Sequence, residues 1–204
     1  MKRFEIKKVK AKPLFIGSLT AEPISICNKI TYYLDENIAK QPRSLNGDNL
    51  DENLNNQREI SISSREIAFS GYEIFKDYSD FLFRCYQDYC EQWPFLLNFK
   101  QTLEANTFNI RRYNQGQFFE GMDAERDLEN LRQFFVFITF LNDVERGGSI
   151  HFRHYDLEIK PQKGLTLIWP ADWTHAHRGN MIEIGTKYII TGWLDLGSNP
   201  KRSK

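Results

Sequence analysis

Residues 133–143 read QFFVFITFLND. The run is rich in aromatic and β-branched residues and is apolar at odd and even positions alike. That pattern fits a central strand covered on both faces rather than a half-exposed one. Upstream, TFNIRRYN (107–114) alternates as a second strand. Downstream come SIHFRH, YDLEIKP, GLTLIWP and TKYIITGWLDL. Turn signals at Arg146-Gly147-Gly148, Pro161-Gln162-Lys163-Gly164 and Arg178-Gly179-Asn180 separate them. The half of the chain after Glu104 is therefore predicted to be a β-sandwich or barrel of short strands.

The first half has another character. From Ser18, SLTAEPISICNKITYYLDENIAK reads as a helix with a Ser or Thr cap, Pro23 in its first turn, and Ile24, Ile30, Tyr33 and Leu34 on one face. YEIFKDYSDFLFRCYQDY predicts a second helix over Tyr72–Tyr89, its aromatics at core-packing spacing, with Pro94 ending or kinking it. Between the two lies QPRSLNGDNLDENLNNQRE, poor in large apolar residues. It is expected to be a mobile loop near 41–58, read as a lid, the alternative being a disordered insertion. Helices followed by strands make the chain α+β with a mainly β core. One domain is expected over 1–204: helical support to 104, the β core over 105–196, and a frayed tail at 197–204.

Composition narrows the function classes. The chain has 204 residues, 27 basic and 27 acidic, so no net charge draws it to nucleic acid or to a membrane surface. Aromatic and basic residues do not interleave as in nucleic-acid binders, which disfavours that partner. No apolar run approaches the ~20 residues of a membrane span. The start, MKRFEIKKVKAK, lacks the apolar stretch of a signal peptide and reads as an exposed strand with KPLF leading into the domain. Three cysteines, Cys27, Cys85 and Cys90, do not suggest a disulfide framework, so a cytoplasmic location is expected.

All four histidines, His151, His154, His175 and His177, lie in the β half. The densest site is WPADWTHAHRGN (169–180), where two histidines two apart share a strand face. Spacing alone leaves metal ligation and two ordinary surface imidazoles equally open.

From about Asn109 to Leu196 the chain resembles the Fe(II)- and 2-oxoglutarate-dependent dioxygenases of the prolyl 4-hydroxylase-like group. RYNQGQFF resembles the strand leading into the first metal ligands. FLNDVERGGSIHF resembles the family's Y-L-N-D-V-x-x-G-G-E-T-x-F, and IKPQKGLTLIWP its P-x-x-G followed by an apolar strand. HRGNMIEIGTKYIITGW resembles the last ligand, a basic residue ten positions on, and the closing strand. The resemblance implies a double-stranded β-helix, or jelly roll, buttressed by the N-terminal helices. It implies three protein ligands on one face of an octahedral Fe(II), the other positions taking 2-oxoglutarate and O2.

Residue by residue, the resemblance puts the distal ligand on His177, because Lys187 follows ten residues later, with His175 the lesser alternative or a supporting residue. It pairs Lys187 with the far carboxylate of 2-oxoglutarate, adds Tyr113 on the same carboxylate, and makes Thr191 a minor hydroxyl partner. The family's His-x-Asp/Glu pair falls on Asp123-Ala124-Glu125 when counted from Gly116. A register shorter by one gives Met122 and Ala124, which hold no ligand. Only the first register supplies oxygen ligands, at Asp123 and Glu125, and neither restores a histidine. His151 is a further candidate for the missing imidazole.

A set of two carboxylates and one imidazole is harder and more anionic than the usual triad. It should bind an anionic cosubstrate less well and move metal preference toward Mn(II). Three outcomes are open: an active variant, a metal site with other oxidative chemistry, or a degenerate jelly-roll module that only binds. The group's commonest substrates imply a peptide or protein side chain. Arg111, Arg112 and Arg132 read as strand arginines that snorkel, with contact to an anionic substrate as the alternative. Arg178 is expected at the pocket mouth.

Overall fold

In a computed structural model of the chain, residues 15–20, 24–40, 58–69, 71–98, 103–123, 126 and 129–197 are described. Among the described residues there are two α-helices, α1 (Ser25–Lys40) and α2 (Glu73–Gln92), and twelve strands. The strands are β1 (Gly17–Thr20), β2 (Arg58–Ser63), β3 (Leu103–Tyr113), β4 (Phe119–Asp123), β5 (Gln133–Phe140) and β6 (Arg146–Gly147). They continue with β7 (Ile150–Phe152), β8 (Leu157–Ile159), β9 (Leu165–Pro170), β10 (His177–Gly179), β11 (Ile182–Ile184) and β12 (Lys187–Leu196). A six-stranded sheet runs β1-β9-β5-β12-β3-β2, a four-stranded sheet runs β4-β10-β7-β8, and β11 pairs with β6. Every pairing is antiparallel. This is the expected jelly roll, with helices on the outer face of the larger sheet.

The two-faced apolarity of β5 now has its reason. Phe135 and Phe137 join the core shared with α1 and α2, while Val136, Ile138 and Phe140 point into the jelly-roll interior. The helix α2 buries Phe75, Tyr78, Phe81, Leu82, Cys85, Tyr89 and Cys90, an i, i+3, i+4 stripe. It ends at Gln92, before Trp93 and Pro94.

One polar chain crosses the outer core. Tyr78 Oη lies 2.8 Å from Thr139 Oγ1, which lies 2.7 Å from Thr166 Oγ1, all buried. These hydroxyls tie α2 to β5 and β9. Tyr78→Phe leaves Thr139 its bond to Thr166 and should cost about 0.5–1.5 kcal/mol. Thr139→Val strands both partners and should cost more, about 1–3 kcal/mol. Urea midpoints at unchanged m-value measure both; equal costs would show that the hydroxyls do not act as a chain.

Several expectations are corrected. The first helix begins at Ser25, not Ser18, and Gly17–Thr20 is instead a strand paired to β9. Gly17 packs where a Cβ would sit 2.5 Å from Cδ2 of Tyr89, so β1 lies tight on α2. Of the expected face Ile30 and Leu34 are buried and Tyr33 packs against the core, but Ile24 is exposed, and Ile26, Cys27 and Ile38 complete the buried side. The expected loop gives way at Arg58 to REISIS (58–63), which forms the edge strand β2. Arg178 and Gly179 belong to β10 rather than to a turn. The exposed strand expected at the N-terminus, Pro23, the loop at 41–57 and the tail from 198 lie outside the described residues. Among the described residues no helix is long and apolar enough to cross a membrane, and Cys27, Cys85 and Cys90 are free thiols.

Candidate active site

Between the two sheets lies a cavity of about 60 Å³, lined by Arg111, Tyr113, Phe119, Val136, Ile138, Ile150, Trp169, His177, Gly179, Lys187, Ile189 and Thr191. At about 10–15 Å³ per water on this measure, it has room for roughly four to six waters or one small acid. Strand parity builds it. Lys187, Ile189 and Thr191 alternate along β12, and Tyr113 and Arg111 stand opposite Lys187 and Ile189 on β3.

Lys187 is 3% exposed. Its Nζ donates to Gly148 O at 3.0 Å and sits 5.0 Å from the centroid of the Tyr113 ring. An ammonium carries three N–H donors, so one carbonyl and one aromatic face leave it underserved for a buried charge. Burial lowers its pKa to about 8. Gly148 has φ +71°, and a Cβ there would stand 3.4 Å from Lys187 Cδ, so glycine lets the carbonyl reach the ammonium. This half-satisfied cation is a fit for a carboxylate.

His177 is 8% exposed, its ring edge-on to Trp169 at 5.0 Å and tilted to Phe152 at 5.8 Å. Its Nδ1 lies 3.1 Å from His175 O. In the neutral ring Nδ1–H donates there, which makes Nε2 the lone-pair nitrogen, the tautomer a metal ligand needs. His175 plays a different part. Its Nδ1 is 2.9 Å from Thr174 Oγ1 and its Nε2 is 3.2 Å from Tyr155 Oη, and it does not line the cavity.

The backbone places position 123 directly opposite His177 in the β4–β10 ladder. Opposed positions of an antiparallel pair share a face of the sheet. The side chain of Asp123 and all of Glu125 lie outside the described residues. Just past them Arg126 is anchored, its N–H donating to Ala171 O and its Nη1 pairing with Asp172, each at 3.1 Å. Among the described residues no three His, Cys, Asp or Glu side chains converge, and of the three candidate ligands only His177 is described as a side chain.

Thr191 lines the cavity, but its Oγ1 donates to Phe137 O at 2.7 Å, so its proton is engaged. His151 does not face His177. It pairs across from Arg178 and Glu158 on the side of the small sheet opposite to buried Ile150 and Phe152, with Nε2 3.8 Å from Asp156. The expectation that it supplies the missing imidazole is corrected accordingly. Arg178 is exposed and does not line the cavity. The residue that sequence reasoning undervalued is Arg111; its same-face spacing from Tyr113 was the available signal.

Comparison with known proteins places this geometry. Residues 108–195 match the family model described as the 2OG-Fe(II) oxygenase superfamily. Over 50 residues, 24% of the chain, it is 40% identical to chicken (Gallus gallus) procollagen-lysine,2-oxoglutarate 5-dioxygenase 1; it spans only 7% of that protein's length. The fold is similar to a Pseudomonas putida prolyl-4-hydroxylase, with TM-score 0.65, 14% identity, and 90% and 93% of the two chains covered. It is also similar to the viral collagen prolyl hydroxylase of Paramecium bursaria Chlorella virus-1, with TM-score 0.63, 13% identity, and 90% and 97% covered. A third is a Trichoplax adhaerens prolyl hydroxylase in complex with a hypoxia inducible factor oxygen degradation domain peptide, with TM-score 0.62, 12% identity, and 88% and 83% covered. The fold is thus the prolyl-hydroxylase type of jelly roll. The family match covers the β core, and over those residues the chain is similar to the 2OG-Fe(II) oxygenase superfamily.

Proposed function

We propose that this chain is an Fe(II)- and 2-oxoglutarate-dependent oxygenase that hydroxylates a C–H bond of a peptide or protein side chain, releasing succinate and CO2. The observation that carries the reading is Lys187, a buried ammonium with one carbonyl partner, in the same cavity as His177. Asp123, Glu125 and His177 would hold the metal, and the opposed register of positions 123 and 177 supports that assignment. The metal, when bound, supplies the activation of O2 that couples oxidative decarboxylation of 2-oxoglutarate to substrate oxidation. Mn(II) is the alternative ion that the two carboxylates favour.

The chain's own residues do the rest. Lys187 pairs with the far carboxylate, held in place by Gly148 O and the Tyr113 ring. Val136, Ile138, Ile150 and Trp169 keep water from the acid's chain. The His175 carbonyl holds the His177 ring in one tautomer. A peptide substrate is supported by the Trichoplax structure of similar fold, which is a peptide complex.

A second reading, a jelly roll that binds without turnover, draws its support from the aspartate at 123, where the resembling family has histidine. One experiment separates the two. Fe(II) and 2-oxoglutarate are added without oxygen and the weak visible charge-transfer band is recorded; O2 is then admitted and succinate assayed. The oxygenase reading expects both signals. Neither signal, with Mn(II) also failing to bind, would leave the binding module.

A further inference from the structure

The cavity contains a second cation that no role described so far uses. Arg111 lies two positions before Tyr113 on β3 and therefore on the same face, about 7 Å along the strand. Its Nε donates to Glu59 Oε2 at 2.6 Å, and Glu59 is its directly opposed neighbour on β2. The two side chains are 19% and 29% exposed. A guanidinium has five N–H donors, so after Glu59 takes Nε the two terminal amino groups remain for other partners. The arginine's charge also opposes the rise that burial imposes on the nearby Tyr113 phenol.

An ion pair whose only task is to fasten an edge strand does not need to sit beside a ligand cavity. Arg112, next in sequence, makes such a tie on the outer face, its Nη1 3.0 Å from Asp35 of α1. Arg111, about as buried as Arg112 (19% against 23% exposed), instead lines the space that also holds Lys187. Glu59 already answers the charge of Arg111, whereas the described partners of Lys187 include no carboxylate, so an anion in this small volume would meet both cations.

We propose that Arg111 is a specificity-determining residue, a second carboxylate anchor, so that a short diacid in the cavity is held by Lys187 at one end and by Arg111 at the other. The proposal rests on the reading of this cavity as the 2-oxoglutarate site. Glu59 orients the guanidinium through Nε and leaves its fork for the carboxylate. The consequence is that this chain recognises the diacid without help from the metal.

The test uses the whole chain freed of metal with a chelator. 2-Oxoglutarate and succinate are titrated in while tryptophan fluorescence is followed, Trp169 being a cavity residue, with calorimetry as the second readout. Wild type is expected to bind both diacids. Arg111→Gln should weaken both at least tenfold, Arg111→Lys should recover part of the loss, and Glu59→Gln, whose amide oxygen still accepts from Nε, should weaken them less than Arg111→Lys does. Wild type that binds neither diacid without metal overturns the proposal. So does Arg111→Gln binding within twofold of wild type. If Arg111→Gln does not fold, Arg111→Lys and Glu59→Gln decide. Parallel losses of affinity and thermal stability in the two would show a purely structural ion pair and overturn the anchor.

Succinate production by the iron-loaded wild type is read separately. Turnover with Arg111→Gln binding normally removes the anchor and keeps the oxygenase. Metal-free diacid binding that depends on Arg111, without turnover, does the reverse.

Discussion

Lys187→Met should make the protein more stable and unable to bind 2-oxoglutarate. Burial lowers the lysine's pKa to about 8, against about 10.4 in an unfolded chain. The fold therefore disfavours the charged form. That penalty is fully present below pH 8, shrinks between about pH 8 and 10.4 as the folded lysine sheds its proton while the unfolded one keeps it, and is absent above. A methionine of similar length removes the charge and fills the space, so the gain is expected at neutral pH, on the order of 1–3 kcal/mol. The same substitution deletes the charge-assisted bond to the diacid's far end and should weaken 2-oxoglutarate at least a hundredfold.

Wild-type affinity should be level below pH 8 and fall up to tenfold per unit above it, because binding must first restore the proton. The groups that share the cavity with this ammonium are Arg111, Tyr113 and His177. Urea unfolding and calorimetry at pH 7 and 9 measure both effects. A variant that is less stable yet still binds 2-oxoglutarate would refute the assignment of Lys187.

The second large effect concerns the ligands. His177→Ala should abolish stoichiometric binding of Fe(II), because it removes the one imidazole that faces position 123 across the ladder. Asp123→His should raise Fe(II) affinity at least tenfold and lower the relative preference for Mn(II). The change replaces a hard anionic oxygen with the softer nitrogen that iron favours and removes one negative charge from the set. Competition against a coloured chelator measures both. Indifference of the metal to Asp123→His would favour the shorter register, which runs through Met122 and Ala124. Retained metal in His177→Ala would reject the distal ligand.

Much of this site was legible from residue order. The resemblance alone placed Lys187 ten residues after His177 and paired it with the cosubstrate's far carboxylate. The Gly148 carbonyl and the Tyr113 ring that receive it are contacts between segments far apart in the chain. Arg111 looked like an ordinary strand arginine because its spacing from Tyr113 says that the two share a face, not which face meets a cavity. Only the pleat, with the cavity on one face and α1 on the other, gives Arg111 and Arg112 different tasks.

The edge strand β2 was missed for a related reason. Its polar residues Glu59 and Ser61 look like loop until Arg111 and Asn109 stand across from them, with Ser61 Oγ 2.8 Å from Asn109 Oδ1. The first helix was started early because Ser18 and Thr20 resemble a cap, whereas the open edge of β9 recruits Gly17–Thr20 as a strand.

Local pattern by itself determined the central strand, both helices in outline, the α+β class and the order of the candidate ligands. Periodicity and residue type act over a few residues and are written in the chain. Tertiary structure alone decided which strands close the sheet edges, that position 123 stands opposite His177, and that two cations share one cavity. Those outcomes depend on register and burial between distant segments, where the cost of an unpaired polar group, rather than local propensity, selects the arrangement.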